Sequence, residues 1–297
     1  MIAFTKRRME GEVILITGAT RGIGRGAAQE IATTGATLIV VGRSHERTKE
    51  LVSELYKLKG AGPIHGEVCD LMLQSEVHAL ADRFRTEHGR LDVLINNAGA
   101  IFSQREVTVE GFERTWALNH NAYFLLTTLL RDMLFENAPA RIVNTASDAH
   151  QIGRICWDDL QFAKRRPLWG WRSYSQSKLA NVLFTRQLAC LLKGSKVTAN
   201  AVHPGFVNTG FNRNNGVLAK AMMLLSRPIQ RNDSIGAETV VWAAISEEAE
   251  GLTGEYLYDC KPSKTSNRAK DMVAAARLWD LSEDMTATKS AWVGHNR

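Results

Sequence analysis

The chain has 297 residues, of which 44% are apolar, and its 37 Lys and Arg against 31 Asp and Glu give a formal net charge of +6. This composition is typical of a globular protein with a large core and argues against a disordered chain. The positive residues are scattered and do not alternate with aromatic side chains along a stripe, so the sequence carries no nucleic-acid-binding signature.

Few segments indicate a cellular location. The charges at Lys6, Arg7 and Arg8 are not followed by an apolar stretch, which argues against a secretory signal. No apolar run approaches ~18 residues, so we expect no transmembrane helix, while a peripheral contact with a membrane surface stays open. The four cysteines lack Cys-x-x-Cys and metal-ligand spacings, which predicts reduced thiols and a cytoplasmic protein.

The first strand and helix carry a glycine-rich turn. Apolar runs at 13–17 and 37–41 predict two buried strands, with a helix between them that ends near residue 34, so together they form a βαβ unit. Because the pattern Gly-x-x-x-Gly-x-Gly lies at the strand-to-helix junction, it predicts a pyrophosphate site at the helix N-terminus. The candidate cofactor contacts in this turn are Gly18, Thr20, Arg21, Gly22, Ile23 and Gly24.

The residues that follow the second strand indicate the type of cofactor. An NAD site usually has Asp or Glu there, which accepts a hydrogen bond from the ribose 2′-hydroxyl. This strand is followed by Gly42, Arg43 and Ser44. Arg43, together with Arg21 in the glycine turn, suits the 2′-phosphate of NADP(H). The alternative is that Arg43 is only a surface residue, but we favour NADP(H) over NAD(H).

The alternation of apolar strands and helices continues along the chain. Further strands are predicted at 64–68, 91–95, 141–146, 197–202 and 255–258, and further helices at 45–59, 73–88, 111–133, 171–193 and 234–245. We therefore predict one α/β domain over residues 1–297, a doubly wound Rossmann fold with a mostly or wholly parallel seven-stranded sheet and helices on both faces. Its core spans about 10–258.

Ligands of such folds bind beyond the carboxyl ends of the strands. Six predicted strand ends carry glycine or polar residues at that edge: Gly18, Arg43, Asp70, Asn97, Ser147 and His203. His203 and His150 have no second ligand at a suitable spacing, so we predict no metal site. The agreement among independent strand ends is stronger evidence for a dinucleotide site than any single motif.

Tyr174 and Lys178 are four residues apart at the beginning of a predicted helix, and therefore on one face. A phenol titrates near pH ~10, and a nearby ammonium lowers its pKa. Such a pair can exchange a proton with a carbonyl or hydroxyl oxygen. Tyr-x-x-x-Lys also occurs by chance on amphipathic helices, so the catalytic interpretation depends on the other motifs.

Taken together, these motifs resemble the classical short-chain dehydrogenase/reductase family. The resemblance covers about 10–257 and includes TGATRGIG (17–24), Asp70, NNAG (96–99), Asn119, Ser147, YSQSK (174–178) and HPGFVNT (203–209). Within the family, the chain is most similar to the retinol-dehydrogenase-like branch, through WDDL (157–160), SKLANVLFTRQLA (177–189), AVHPG (201–205) and LWDLSE (278–283).

The resemblance implies a role for each matching residue. Tyr174 would be the general acid in carbonyl reduction and the base in alcohol oxidation, Lys178 would lower its pKa and hold the nicotinamide ribose, and Ser147 would orient the substrate oxygen. Asn119 would hold a water that relays protons to Lys178. The implied cofactor contacts beyond the glycine turn are Asp70 and Leu71 at the adenine, Asn97, Ala98 and Gly99 beside the adenosine, Tyr174 and Lys178 themselves, and Pro204, Gly205, Val207 and Thr209 at the nicotinamide end.

Three further segments have expected positions around this site. The stretch 155–172, which lengthens the separation of Ser147 and Tyr174 to 27 positions, is similar to an insertion in the retinol-dehydrogenase-like branch and is expected to form a substrate rim. The stretch 210–232 contains VLAKAMMLL, which is either a core helix or a Met-rich lid, and its position favours the lid. Residues 264–297 are expected to be a polar extension that does not complete the core.

We therefore predict an NADP(H)-dependent oxidoreductase that moves a hydride between nicotinamide and a hydrophobic carbonyl or alcohol of the retinoid, steroid or lipid-aldehyde type. The alternative is a dinucleotide-sensing protein of the same fold that does not catalyse, against which the intact set of four catalytic residues argues. Because related enzymes pair through the helices represented here by 111–133 and 171–193, a homo-oligomer is also expected.

Overall fold

One sheet forms the centre of the computed structural model, which describes residue 4 and residues 6–165, 168, 170–205, 233–289 and 292. Its strands are β1 (Val13–Thr17), β2 (Thr37–Gly42), β3 (Ile64–Val68), β4 (Val93–Asn96), β5 (Ala140–Thr145), β6 (Val197–Val202), β7 (Tyr256–Tyr258) and β8 (Lys261–Pro262). The spatial order is β3-β2-β1-β4-β5-β6-β7-β8. All neighbours are parallel except β7 and β8, which are antiparallel.

The described helices are α1 (Gly22–Ala32), α2 (His45–Leu55), α3 (Gln74–Glu87), α4 (Arg114–Trp116), α5 (Ala122–Leu129), α6 (Arg131–Glu136), α7 (Trp171–Leu191), α8 (Asp233–Ile245) and α9 (Met272–Thr286). A π-helical turn, Ala117–Asn121, joins α4 to α5. The predicted single helix over 111–133 is therefore interrupted, and this interruption places Asn119 in the π-turn.

Helices cover both faces of the sheet. Side chains alternate along a strand, so Ile14 and Ile16 belong to the core cluster that contains α1, α2 and α8. Leu15 belongs to the opposite cluster, which contains α3, α5 and α7. The predicted doubly wound, mostly parallel fold is confirmed. It has one strand more than predicted, because β8 consists of only two residues and has no apolar pattern of its own.

The C-terminal helix α9 differs from our expectation that residues 264–297 do not complete the core. Trp279 on α9 is buried, with its ring centroid 4.9 Å from that of Phe124 and 5.8 Å from that of Phe184. Trp292 is also buried, with its centroid 5.5 Å from that of Trp279. The expectation was wrong, because the overall polarity of the segment hides the apolar face of a helix.

The position of α9 also bears on self-association. Phe124 lies on α5 and Phe184 on α7, the helices through which we expected subunits to pair, and every residue of α7 from Ser173 to Thr185 is buried within this one chain. A homo-oligomer remains a prediction, but pairing through this face would require α9 to move away. In the described ranges we find no helix of the length and hydropathy needed to cross a membrane.

Candidate active site

The glycine turn after β1 fits a bound pyrophosphate. Gly18 has φ +66° and Gly22 has φ +54°, values that favour glycine. A Cβ atom on Gly24 would lie 2.3 Å from the Gly18 carbonyl oxygen, so any side chain would disrupt the turn. Helix α1 begins at Gly22 with no side chain capping its first N–H groups and no acidic residue in its first turn. These free donors and the helix dipole suit an anion.

The end of β2 lies against the same turn. A Cβ atom on Gly42 would lie 2.5 Å from the Thr20 methyl carbon, so the two segments are in close contact. Arg43 follows Gly42 and is exposed, and Ser44 begins α2 by accepting a hydrogen bond from the Arg47 backbone N–H at 3.5 Å. Arg43 is therefore the exposed residue that follows β2, the strand end at which the adenosine ribose of a dinucleotide is recognised in this fold.

The predicted adenosine contacts line the ends of β3 and β4. Asp70 follows β3, and its Oδ1 accepts a hydrogen bond from the Met72 backbone N–H at 3.1 Å. Asn97 follows β4 and donates from Nδ2 to the Thr17 carbonyl at 2.9 Å, which fixes this loop to the glycine turn. Leu71 and Ala98 are buried beside them, and Ile23 is partly buried on α1.

Ser147 and Tyr174 meet at the end of β5. Ser147 lies two residues after the end of β5, and its Oγ accepts from the Ala149 backbone N–H at 3.2 Å. Tyr174 lies in the first turn of α7, and a side-chain hydrogen bond joins it to Ser147. Burial raises the pKa of Tyr174 to about 12, while the bond to Ser147 acts in the opposite direction. The predicted convergence of these two hydroxyls on one point is thus present in the structure.

Lys178 lies one turn further along α7 and is buried. Its Nζ donates to the Thr145 carbonyl at 2.8 Å and lies 5.7 Å from the ring centroids of both Tyr123 and Tyr174. Burial lowers the pKa of Lys178 to about 7. The cation is stabilised by a carbonyl and two aromatic faces. Two effects on the pKa of Tyr174 therefore oppose each other: burial raises it, and the positive charge of Lys178 would lower it.

Asn119 connects three segments around Lys178. Its Oδ1 accepts from the Ala100 backbone N–H at 2.9 Å, and its Nδ2 donates to the Ala100 carbonyl at 2.9 Å and to Ser177 Oγ at 3.0 Å. A Cβ atom on Gly99 would lie 3.3 Å from Asn119 Oδ1 and 3.5 Å from Lys178 Nζ, so all three meet at one place. The role of Asn119 in holding a water remains a prediction.

Sequence reasoning missed a contact between a carboxylate and a histidine beside Ser147. Asp148 Oδ2 lies 3.3 Å from His203 Nε2, and Asp148 Oδ1 accepts from the Tyr256 hydroxyl at 2.8 Å. The hydrogen bond with His203 lowers the pKa of Asp148 to about 2. His203 Nδ1 accepts from the Gly205 backbone N–H at 3.3 Å, so this group joins the Ser147 turn to the start of the predicted nicotinamide loop. Only the adjacency of Asp148 to Ser147 could have indicated it.

The predicted nicotinamide loop is described only at its beginning. Pro204 is buried and Gly205 has φ +82°, whereas Val207 and Thr209 lie outside the described residues. The expected lid at 210–232 also lies outside them. Among the residues that the structure does describe, no three His, Cys, Asp or Glu side chains form a group that could hold a metal ion.

Comparison with known proteins decides the family. A family model described as short chain dehydrogenase matches residues 12–159 and 161–217. The chain belongs to this family. Retinol dehydrogenase 12 of Mus musculus is 40% identical over 281 residues, which is 95% of this chain and 88% of that relative. The similarity to the retinol-dehydrogenase-like branch is thereby confirmed, and the protein is an NAD(P)-dependent oxidoreductase acting on CH–OH groups.

Solved structures of the family agree with the fold. A crystal structure of an uncharacterized protein from Mycobacterium Paratuberculosis is 33% identical, with a TM-score of 0.78 and 96% of each chain covered. A blue fluorescent protein from a metagenomic library, solved in complex with NADPH, is 28% identical with a TM-score of 0.68, covering 84% of this chain and 97% of that one.

Proposed function

We propose that this short-chain dehydrogenase is an NADP(H)-dependent enzyme that interconverts a hydrophobic alcohol and its carbonyl compound, with a retinoid-like molecule as the substrate class. The observation that carries the proposal is the hydrogen bond between Ser147 and the buried Tyr174, with the buried Lys178 one helical turn away. A sensor that only binds a dinucleotide has no need of this arrangement. The names of the retinol dehydrogenase relatives support the substrate class.

The chemistry follows from the positions of these side chains. The nicotinamide, when bound, supplies or accepts the hydride. Ser147 donates a hydrogen bond to the substrate oxygen, and Tyr174 gives that oxygen a proton in reduction or removes one in oxidation. Lys178 holds the nicotinamide ribose and, as an ammonium, favours the ionised form of Tyr174. Burial of Tyr174 and Lys178 excludes water from these two groups and strengthens their electrostatic effects.

Apolar residues near Tyr174 support a hydrophobic substrate. Trp171 is partly exposed, and its ring centroid lies 6.1 Å from that of Tyr174. Leu160 and Phe162, from the expected rim at 155–172, are buried. We infer that the rim presents the Trp171 ring to the substrate.

An assay against a panel of carbonyls separates the enzyme from a sensor. We expect NADPH oxidation with long-chain and retinoid aldehydes, and weaker turnover with small polar carbonyls, because the rim offers aromatic contacts. The measurement is kcat/KM for each member of the panel, with NADPH binding followed separately by fluorescence. Tight NADPH binding without turnover of any carbonyl would favour the sensor.

Arg43→Ala is expected to reduce the preference for NADPH over NADH. A charge-assisted hydrogen bond to phosphate is worth about 1.5–3 kcal/mol, and ~1.4 kcal/mol corresponds to a factor of ten in binding. The ratio of kcat/KM with NADPH to that with NADH should therefore fall roughly tenfold or more. Added salt should reduce the preference of the wild-type enzyme for NADPH over NADH, because salt screens the attraction between Arg43 and the 2′-phosphate.

Lys49→Ala is the matched control, because Lys49 is an exposed cation on α2 and its loss changes the net charge by the same amount. It should leave the cofactor ratio close to that of wild type. Equal losses with both cofactors in Arg43→Ala would show that Arg43 has only a structural role. A wild-type preference for NADH would overturn the cofactor assignment.

We also propose that the protein works in the cytoplasm. All four cysteines, Cys69, Cys156, Cys190 and Cys260, are free, and burial raises the pKa of the Cys69 thiol to about 12, which keeps it unreactive. Free thiols persist most readily in a reducing compartment. Immunofluorescence of the tagged chain tests this location.

A further inference from the structure

A buried histidine next to Asn119 connects the C-terminal helix to the active site. His120 lies in the π-turn and is fully buried. Its Nε2 is 2.9 Å from Ser282 Oγ on α9, and its Nδ1 is 3.4 Å from Asn181 Oδ1 on α7. His120 is not among the four catalytic residues of the proposed mechanism.

The hydrogen bonds of Asn181 determine which nitrogen of His120 carries the proton. Asn181 Nδ2 donates to the Thr145 carbonyl at 3.3 Å, so Oδ1 is the atom that faces His120. An amide oxygen can only accept, so His120 Nδ1 is the donor. Burial lowers the pKa of His120 to about 4, so the ring is neutral near pH 7. Nε2 is then the acceptor that faces Ser282 Oγ at 2.9 Å, while the Leu278 carbonyl, at 2.7 Å, is a second acceptor for the Ser282 hydroxyl.

The Thr145 carbonyl completes the connection. It accepts from Asn181 at 3.3 Å and also from Lys178 Nζ at 2.8 Å. One continuous series of hydrogen bonds thus runs from Ser282 through His120 and Asn181 to the carbonyl that holds Lys178.

We propose that His120 is a positioning residue for proton transfer, because it fixes the Asn181 amide and thereby the carbonyl of Thr145 that holds Lys178 beside Tyr174. The inference rests on the proposed roles of Lys178 and Tyr174. It also connects α9 to the site, since Ser282 Oγ on that helix lies 2.9 Å from His120 Nε2. A purely structural alternative exists, because the His120 ring packs 4.6 Å from that of Trp116.

Two substitutions of His120 separate positioning from packing. His120→Asn places an amide N–H near the position of Nδ1 and keeps the donor to Asn181. His120→Gln places its amide near Nε2, so it keeps the contact with Ser282 and loses the donor to Asn181. Both remove the ring and its packing. A structural role predicts the same pH profile for the two variants, whereas a positioning role predicts a change in His120→Gln alone.

The readout is the pH dependence of kcat for alcohol oxidation, measured with the best substrate of the panel. Of the titratable groups in the described ranges, Tyr174 and Tyr123 face Lys178. A less well held ammonium stabilises the Tyr174 phenolate less, so the rising limb should move to higher pH, by about half to one pH unit. We expect this shift in His120→Gln and in Asn181→Ala, and a near-normal profile in His120→Asn.

The controls make the outcome decisive. Thr286→Val removes another buried hydroxyl of α9, one that donates to the Ser282 carbonyl, and should leave the profile unchanged. His120→Gln combined with Asn181→Ala should shift the profile no further than either alone, because both break one series of bonds. Unshifted profiles in His120→Gln and Asn181→Ala would overturn the inference, and Asn181→Ala decides the matter if His120→Gln does not fold.

A spectroscopic test needs no turnover. Nitrogen-15 NMR of the histidine rings, with the His120 signals assigned by their loss in His120→Gln, should show the neutral Nδ1–H tautomer near pH 7. The Nε2–H tautomer would contradict the proposed direction of the bonds. If Tyr174→Phe kept its turnover, the proposed mechanism would fail, whereas an inactive Tyr174→Phe with unshifted profiles would exclude only the role of His120.

Discussion

Tyr174→Phe is expected to lower kcat by roughly 10²–10⁴-fold, the usual scale of general acid–base catalysis. The substitution removes one hydroxyl from a buried ring and keeps the ring itself, so the packing around α7 is preserved. The hydroxyl is hydrogen-bonded to Ser147, where the substrate oxygen is expected to lie. Its loss removes the proton donor but leaves the other implied cofactor contacts in place, so KM for NADPH should change far less than kcat.

Tyr56→Phe is the control for this substitution. Tyr56 lies just after α2 and away from Ser147, and its hydroxyl accepts a hydrogen bond from the Ile64 backbone N–H at 3.2 Å. Its removal costs a comparable hydrogen bond with no connection to the chemistry, so kcat should stay within about twofold of wild type. Near-normal turnover in Tyr174→Phe would show that another group transfers the proton.

The pH dependence of turnover by the wild-type enzyme is a second test of the role of Tyr174. Alcohol oxidation requires the Tyr174 phenolate, and burial raises the pKa of this phenol to about 12 while it lowers that of Lys178 to about 7. Both shifts favour the neutral forms. We therefore expect oxidation to become faster as the pH rises above neutrality, whereas carbonyl reduction, which needs the protonated phenol, should not show that rise. This contrast should disappear in Tyr174→Phe.

The catalytic edge of the sheet was predictable because its residues follow strands. A buried parallel strand is a continuous apolar run, and the polar residue after it must lie at the carboxyl edge. This reasoning located Ser147 and Asn97, and the helix period located Lys178 relative to Tyr174. It could not locate partners set by tertiary packing, such as the Asp148–His203 pair or the Thr145 carbonyl, because no local pattern relates their positions.

The C-terminal helix shows where composition misleads. Ala275, Leu278, Trp279 and Ser282 are buried at positions i, i+3, i+4 and i+7 of α9, which is the pattern of an amphipathic helix. The charged residues between them lie on the other faces and lower the average hydropathy of the segment. Periodicity would have predicted this helix, whereas average polarity indicated an extension outside the core.

Trp279→Ala is accordingly expected to destabilise the protein by about 3–5 kcal/mol, the usual cost of truncating a buried Trp to Ala. The Trp279 ring contacts Phe124, Phe184 and Trp292, so its removal leaves a cavity where α9 covers α5 and α7. The measurement is urea unfolding, in which the midpoint should fall. If the slope of the unfolding free energy against urea concentration stays largely unchanged, unfolding exposes about as much surface as in wild type.

Val273→Ala provides the matched control, because Val273 lies on the same helix with 81% of its surface exposed. Its effect should stay within about 0.5 kcal/mol, as for other exposed positions. If Trp279→Ala were equally mild, α9 would not be an integral part of the core.

Loss of the Trp279 ring also uncovers apolar surface on Phe124 and Phe184, so sedimentation velocity should detect more self-association in Trp279→Ala than in wild type. An unchanged sedimentation profile would mean that α9 stays in place without its tryptophan and continues to cover the two helices.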